Sequence, residues 1–218
     1  GTREIGRSYN NVRIIDDPDP DIRHPTDEYR KIGVDNSENR IIVCLDSDEY
    51  FPEKLQQKLK NMLERGEIFG SLVRAPKLNF LGEEPIRGAG QWPDYTPVML
   101  DRNFVDVLGR THVWWDDSNA ETIDLPAVDQ LAIRHFFADS VLDHWKAQHR
   151  YAKLAGEKRD FSLFKLFAGP PWGFYTRYIE GNGWKCGLKG LGISLAWSWF
   201  LFMTQLTAGI RVFRRYIE

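Results

Sequence analysis

Cysteine is almost missing from this chain of 218 residues: Cys44 and Cys186 are the two present. They give neither a disulfide framework nor the paired spacing of a zinc site, and they suit a reducing compartment. A strong charge of one sign is missing as well, the formal net being −2. That near-balance conceals an asymmetry. From residue 141 onward, 12 Lys and Arg stand against 5 Asp and Glu, a net +7, so residues 1–140 carry −9. The basic residues flank apolar segments and form no continuous stripe, which argues against nucleic acid as the partner and for a membrane surface. The sequence has no internal repeat. With 13% aromatic residues and an otherwise ordinary composition, it can bury one core, with room for an appendage.

The periodicity alternates between strand and helix. "NNVRIID" (10–16) predicts a short strand, and the loop "DPDPDIRHPTDE" that follows is barred from helix by its prolines. "DEYRKIGVDNSE" predicts a helix. "RIIVCL" (40–45) is a nearly continuous β-branched run and predicts a central strand covered on both faces. Pro52 suits a first helical position, Leu55, Leu59, Met62 and Leu63 mark one face, and Gly66 supplies the stop. "GSLVRAPKLNFLGEE" and "DYTPVMLDRN" read as strands around the glycine-rich loop "IRGAGQWPD". "VDQLAIRHFF" predicts another strand and "SVLDHWKAQHRYAKLAG" a helix. The order strand, acidic turn, helix indicates an open α/β sheet, whose ligands sit beyond the carboxyl ends of strands.

Between the predicted strand and helix, "LDSDEYFP" places Asp46, Asp48 and Glu49 within four positions. One reading is a solvated turn. The other is a site for Mg²⁺ or Mn²⁺, which prefer oxygen ligands and bridge protein carboxylates to substrate phosphates. An EF-hand is excluded, because its sixth position is Phe51 rather than Gly and its twelfth is Gln57 rather than Glu.

"IIVCLDSDEYFPEKL" resembles the strand-plus-"LDADE" segment of family 2 glycosyltransferases, in particular those related to lipopolysaccharide-core and other bacterial glycan enzymes. "YRKIGVD" stands where that family has an Arg-Asn helix segment. "WPDYTPVMLDRN" resembles the segment leading to its acceptor-side strand, and "GRTHVWW" its Val-His-Glu segment. "IRHFFADS", "HRYAKL" and the glycine-punctuated hydrophobic ending follow in the same order. The resemblance implies an α/β fold with a GT-A-like mixed sheet flanked by helices, followed by a C-terminal hydrophobic helical tail. "GTREIGRSYNNVRII" looks like the continuation of the family's S-x-D-G-T segment. On that resemblance the nucleotide-binding first strand, helix and second strand are expected to be missing from this chain. Residues 1–160 are then a partial catalytic domain, and 161–218 an aromatic, basic, membrane-associating region.

By resemblance, Asp46 and Asp48 form the D-x-D pair. Asp48 is the direct ligand of Mg²⁺ or Mn²⁺, and Asp46 is a second metal ligand nearer the donor ribose. Glu49 is either a supporting residue or an acid at a helix N-terminus. Arg30 matches an Arg that faces the donor diphosphate, with a surface ion pair as its alternative; Lys31 departs from the family's Asn. His112 matches the His of Val-His-Glu and is a donor-binding candidate, whereas Val113 replaces the Glu. An inverting transfer needs a base for the acceptor hydroxyl. Asp94 is the candidate, with a turn-forming role beside Pro93 as its alternative, and Asp116 and Asp117 as weaker substitutes. His135 reads as a core histidine, and Trp114 and Trp115 as packing residues.

Gly190–Ile210 contains no charged residue, and at 1.5 Å per residue it could cover the roughly 30 Å of a bilayer core. Ser194, Ser198 and Gln205 form a narrow polar stripe along it. Lys185, Lys189, Arg211, Arg214 and Arg215 flank it and favour contact with anionic lipid, so an embedded or interfacial helix is expected over a full span, with a buried core helix as the alternative. The leading functional expectation is a metal-assisted, inverting glycosyltransferase at the inner, cytoplasmic face of the cell membrane, peripheral or monotopic. It would take a nucleotide-sugar donor and a cell-envelope or lipid-linked glycan acceptor. The alternatives are a metal-dependent phosphotransferase and a non-catalytic membrane-associated adaptor.

Overall fold

The computed structural model describes residues 2–15, 26–110 and 113–217. The acidic loop at 16–25 and His112 lie outside the described residues. In chain order the elements are α1 (Thr2–Arg7), α2 (Thr26–Asp35), β1 (Ile41–Val43), β2 (Glu49–Tyr50), α3 (Glu53–Glu64), β3 (Ser71–Leu81) and β4 (Glu84–Pro85). Then come β5 (Asp94–Asp101), β6 (Asp106–Arg110), β7 (Val113–Asp116), β8 (Glu121–Asp124) and β9 (Ile133–Ala138). The chain ends in α4 (Val141–Lys158), α5 (Leu163–Tyr175) and α6 (Gly187–Ile217). The fold is mixed α/β. Seven strands share one sheet in the order β1-β5-β3-β9-β2, with β4 and β8 also paired to β3, and β6 and β7 form a separate hairpin. Strand β3 runs parallel to β8 and β9, while β1/β5, β2/β9 and β3/β4 are antiparallel.

Helix α3 forms as its sequence dictates. Pro52 immediately precedes it, and Leu55, Leu59 and Met62 are buried. Leu63 is exposed, so it lies off that face. Gly66 ends the helix with φ +71°, a left-handed value open to glycine without steric cost. Two expectations need correction. Residues 12–15 form no strand, and Val12, Ile14 and Ile15 are exposed: alternation alone makes no strand without a neighbour to receive the ladder. "RIIVCL" is an edge strand of three residues rather than a central one. Among the described residues it pairs with β5 alone, and Val43 and Leu45 are each 53% exposed.

The chain divides into two compact units. The first comprises Gly1–Cys44, Leu59–Arg74 and Pro97–Asp124. Its core gathers Val34, Ile42, Leu72, Leu100, Val105 and Val107. At the end of β5, the Asp101 side chain is fully buried and accepts a forked pair of bonds from Arg40, with Nη2 at 2.6 Å and Nε at 3.0 Å. The backbone N–H groups of Gly70 (2.8 Å) and Asn103 (3.1 Å) complete its shell. Burial pushes this carboxyl up, but the bonds from Arg40, Gly70 and Asn103 outweigh it and hold the group below the ordinary carboxylate range.

The second unit comprises Leu45–Lys58, Ala75–Thr96 and Leu125–Glu218. Within it α6 packs along α4 and α5. Gly156 of α4 permits that closeness, since a Cβ there would lie 2.5 Å from Thr207 Cβ and 2.7 Å from the Thr204 carbonyl oxygen. The polar stripe of α6 is used internally. Ser194 donates to Gly190 O, Ser198 to Pro170 O, and Gln205 Oε1 accepts the N–H of Ser162, the N-cap of α5. The opposite side of α6 leaves Leu188, Leu195, Ile210 and Phe213 exposed, and 28% of its most apolar 18-residue stretch is buried. It is one long apolar helix with one face packed and the other open. Helix α5 likewise turns Leu163, Phe164, Phe167, Trp172 and Tyr175 outward.

Replacing Asp101 by Ala removes the acceptor for two backbone N–H groups as well as for Arg40. Arg40 is 45% exposed, so most of the cost comes from the orphaned amides. The expected loss is about 2–4 kcal/mol in urea unfolding at pH 7. Because the folded pKa is depressed, the difference from wild type should shrink as pH falls through it. A variant as stable as wild type would remove Asp101 from this role.

Candidate functional site

The second unit brings the acidic turn against β9 and β3. Asp48 opens the turn's last residues: its carbonyl accepts the Phe136 N–H at 2.9 Å, and Glu49 then pairs with His135 in the β2/β9 ladder. Glu49 is in β2, ahead of α3, so it is not a helix N-terminal acid. Its side chain, 6% exposed, meets Lys77 Nζ at 2.7 Å and accepts the Asp46 N–H at 3.1 Å. The Lys77–Glu49 pair thereby anchors the turn that carries Asp46 and Asp48. Asp46 is half-buried, and the Asp48 side chain is 48% exposed.

Lys77 and Asn79 lie two residues apart on β3 and so share a face. Asn79 pairs with His135 across the parallel β3/β9 ladder. Its buried amide connects three groups: Oδ1 is 2.5 Å from His135 Nδ1, and Nδ2 donates to Gln91 O at 3.1 Å and Asp94 Oδ2 at 3.4 Å. His135 Nε2 lies 3.4 Å from Asp48 Oδ2. Asp48 and Asp94 are thus joined through one imidazole and one amide. Burial, reinforced by the nearby Lys77 ammonium, pushes the His135 pKa down, against the upward pull of Asp48, Glu49 and Asp94.

Asp94 begins β5, directly after the cis Trp92–Pro93 bond, and its side chain is exposed. The glycine-rich loop before it is clamped by Arg177, whose Nη1 donates to Ala89 O and Gly90 O at 3.0 Å each. Gly90 has φ +67°, a left-handed value open to glycine without steric cost, and a Cβ there would press on that arginine nitrogen at 2.5 Å. The Arg177 guanidinium also stacks 4.7 Å above the Trp197 ring. A cavity of about 430 Å³ lies on this loop, between Arg87 and Gly88 and the Lys185, Cys186 and Lys189 side. Its lining includes none of Asp46, Asp48 and Asp94.

The other expected residues among those described belong to the first unit. Arg30 is half-buried on α2, an element of the first unit. Lys31 forms a surface ion pair with Asp35. Asp116 accepts the Ser118 N–H, which lowers its pKa, and Asp117 accepts Thr122 Oγ1; both have local turn roles in the first unit. Trp115 packs on the first unit's core. His135 was legible as a residue but read as core. Lys77, Asn79 and Arg177 were missed, and the signal for the first two is polar side chains at alternate positions, on one face of a largely buried strand.

Among the described residues, no group of three His, Cys, Asp or Glu side chains is placed to hold a metal ion, so the expected metal role of Asp46 and Asp48 rests on the D-x-D resemblance. Compared with models of protein families, with curated proteins and with solved structures, the chain matches none.

Lys77→Met leaves Glu49 as a buried carboxylate without its counter-charge. The expected cost is about 3 kcal/mol in urea unfolding, and the double replacement Lys77→Met/Glu49→Leu should recover much of it. Single and double variants of equal stability would show that the pair does not anchor the turn.

Proposed function

We propose that the protein is a metal-assisted glycosyltransferase that moves a sugar from a nucleotide donor to a cell-envelope or lipid-linked glycan, with inversion. The observation that carries this reading is the linkage of Asp48 and Asp94 through His135 and Asn79. It puts a carboxylate suited to a cation and a carboxylate suited to a proton within one cluster. A bound Mg²⁺ or Mn²⁺ held by Asp48 and Asp46 would supply charge to the departing nucleoside diphosphate. Asp94, exposed at the head of β5, accepts the proton of the acceptor hydroxyl as its oxygen attacks the anomeric carbon. The bond from that carbon to the diphosphate oxygen breaks on the opposite face, and the configuration inverts. The D-x-D resemblance supports the same assignment and suggests a GT-A relationship for the sheet. Arg30 and His112 remain donor-binding candidates on resemblance alone.

The outward apolar faces of α5 and α6, with Lys165, Lys185 and Arg214 among the nearby cations in sequence, support a monotopic or peripheral position at the inner face of the cell membrane. Aromatic and aliphatic side chains bury at the headgroup boundary while the basic residues meet anionic lipid. A lipid-linked acceptor is well placed for an enzyme held there.

Asp94→Asn keeps the shape of the side chain but removes the proton acceptor. Turnover should fall about 10²–10⁴-fold while donor affinity is retained. Near-normal turnover would move the base elsewhere. Phe164→Asp/Phe167→Asp alters only outward positions of α5, whereas deleting α6 would strip the packed faces of α4 and α5. The double variant should stop floating with vesicles containing anionic lipid and keep its wild-type circular dichroism. Unchanged flotation would remove α5 from the membrane contact.

A further inference from the structure

The cavity of about 430 Å³ on the glycine-rich loop lies apart from the carboxylates, and its two sides are firmly placed. Glu84 to Gly88 form one side; Asn182 and the residues that lead into α6 form the other. A Cβ on Gly88 would lie 2.3 Å from Asn182 O and 3.0 Å from Cys186 Sγ, so the sides meet there with no room for a side chain. Ala89, the next residue, has φ +56° and Asn182 has φ +55°; among the described residues no other non-glycine has positive φ. Such strained backbone gathers where a ligand is held. Three cations line the cavity, Arg87 from one side and Lys185 and Lys189 from the other, against the single carboxylate of Glu84, a net of two positive charges. Their present partners are weak competitors. Glu84 meets Lys189 at 2.8 Å and Asp129 meets Arg87 at 2.6 Å, and both pairs are open to solvent. Lys185 Nζ lies over the Trp184 ring, 5.2 Å from its centre.

Cations on opposite sides call for an anion with oxygens pointing several ways, which describes a phosphate better than a planar carboxylate. Two net positive charges suit a dianionic phosphate monoester better than a singly charged diester. The surroundings add an apolar requirement. Trp184 and Leu188 adjoin Lys185 and Lys189 in sequence and are 54% and 85% exposed, and Leu188 belongs to the outward apolar side of α6. We propose that the cavity binds the terminal phosphate of a membrane lipid, a phosphate monoester on an apolar chain, with Trp184 and Leu188 against the chain. The proposal rests on the membrane position proposed above and deepens it. Attraction of scattered cations to a lipid surface follows the charge of that surface, whereas this cavity selects one headgroup.

The test uses the full 218-residue chain and phosphatidylcholine vesicles containing either phosphatidic acid, a monoester, or phosphatidylglycerol, a diester, adjusted to equal surface potential. Binding is read by flotation over a range of lipid concentrations. Expected is binding about 5–10-fold tighter to phosphatidic acid, the effect of one further charge contact at a lipid surface. Arg87→Gln/Lys189→Gln should bring it down to the phosphatidylglycerol level. Lys185→Gln breaks no ion pair, serves as the control should the double variant perturb folding, and should lower the preference as well. Lys165→Gln/Arg214→Gln removes as much charge outside the cavity and should weaken binding to both vesicles while leaving the preference. Glycerol 3-phosphate carries the same phosphate without the chain, and as a competitor it should act only far above the concentration of accessible lipid. Competition at concentrations equal to the lipid's assigns the cavity to a soluble phosphate and overturns the proposal. Equal binding to the two vesicles, or a preference that survives Arg87→Gln/Lys189→Gln, overturns it too while sparing the membrane position. Flotation with neither vesicle removes the membrane position itself, and this site with it.

Discussion

Lys77 and Asn79 lie on one face of a strand that is otherwise almost wholly buried, and each has to be satisfied. Desolvating an ammonium or an amide without partners costs more than any single apolar contact returns. Lys77 finds Glu49, whose carboxylate also takes the Asp46 N–H. Asn79 finds His135, Gln91 and Asp94. Those bonds draw the acidic turn and the head of β5 to the same strand. The candidate site is the consequence of meeting that polar demand.

The chemistry follows from how differently its groups are surrounded. Glu49 is buried and paired, so it acts through the turn's shape. Asp48 keeps about half of its side chain in solvent, which leaves lone pairs for an ion. Asp94 is exposed at the mouth of a loop held by Arg177, whose own pKa is pushed down by burial and pulled up by the charge of Asp94. On the function proposed above, Glu49 would be the buried support, Asp48 a half-open cation ligand and Asp94 an exposed proton acceptor, a division of labour suited to transfer from a nucleotide donor.

Much of the fold was legible because local signals agreed with tertiary packing. Pro52 and Gly66 bracket α3, Ser140 caps α4, and the length and charge-free run of α6 announce one long apolar helix. Local pattern failed where a neighbour decides. Val12, Ile14 and Ile15 alternate properly yet form no strand, and β1 looks central by composition but sits at a sheet edge. D-x-D could be seen in the sequence, and Asp94 could be guessed. Their linkage could not, because the register that places Asn79 opposite His135 is a property of the β3/β9 ladder. A polar residue in an apolar strand invites a core reading until its partner is known, and for His135 that partner is Asn79 on a distant segment.

The most direct measurement is release of nucleoside diphosphate from a set of nucleotide sugars. The protein would be supplied with Mn²⁺ and a membrane-extract acceptor, with ATP as a parallel substrate. The expected result is metal-dependent release from at least one nucleotide sugar, lost in Asp48→Ala, with ATP left intact. Equal release by wild type and Asp48→Ala, or turnover of ATP in place of every nucleotide sugar, would contradict it.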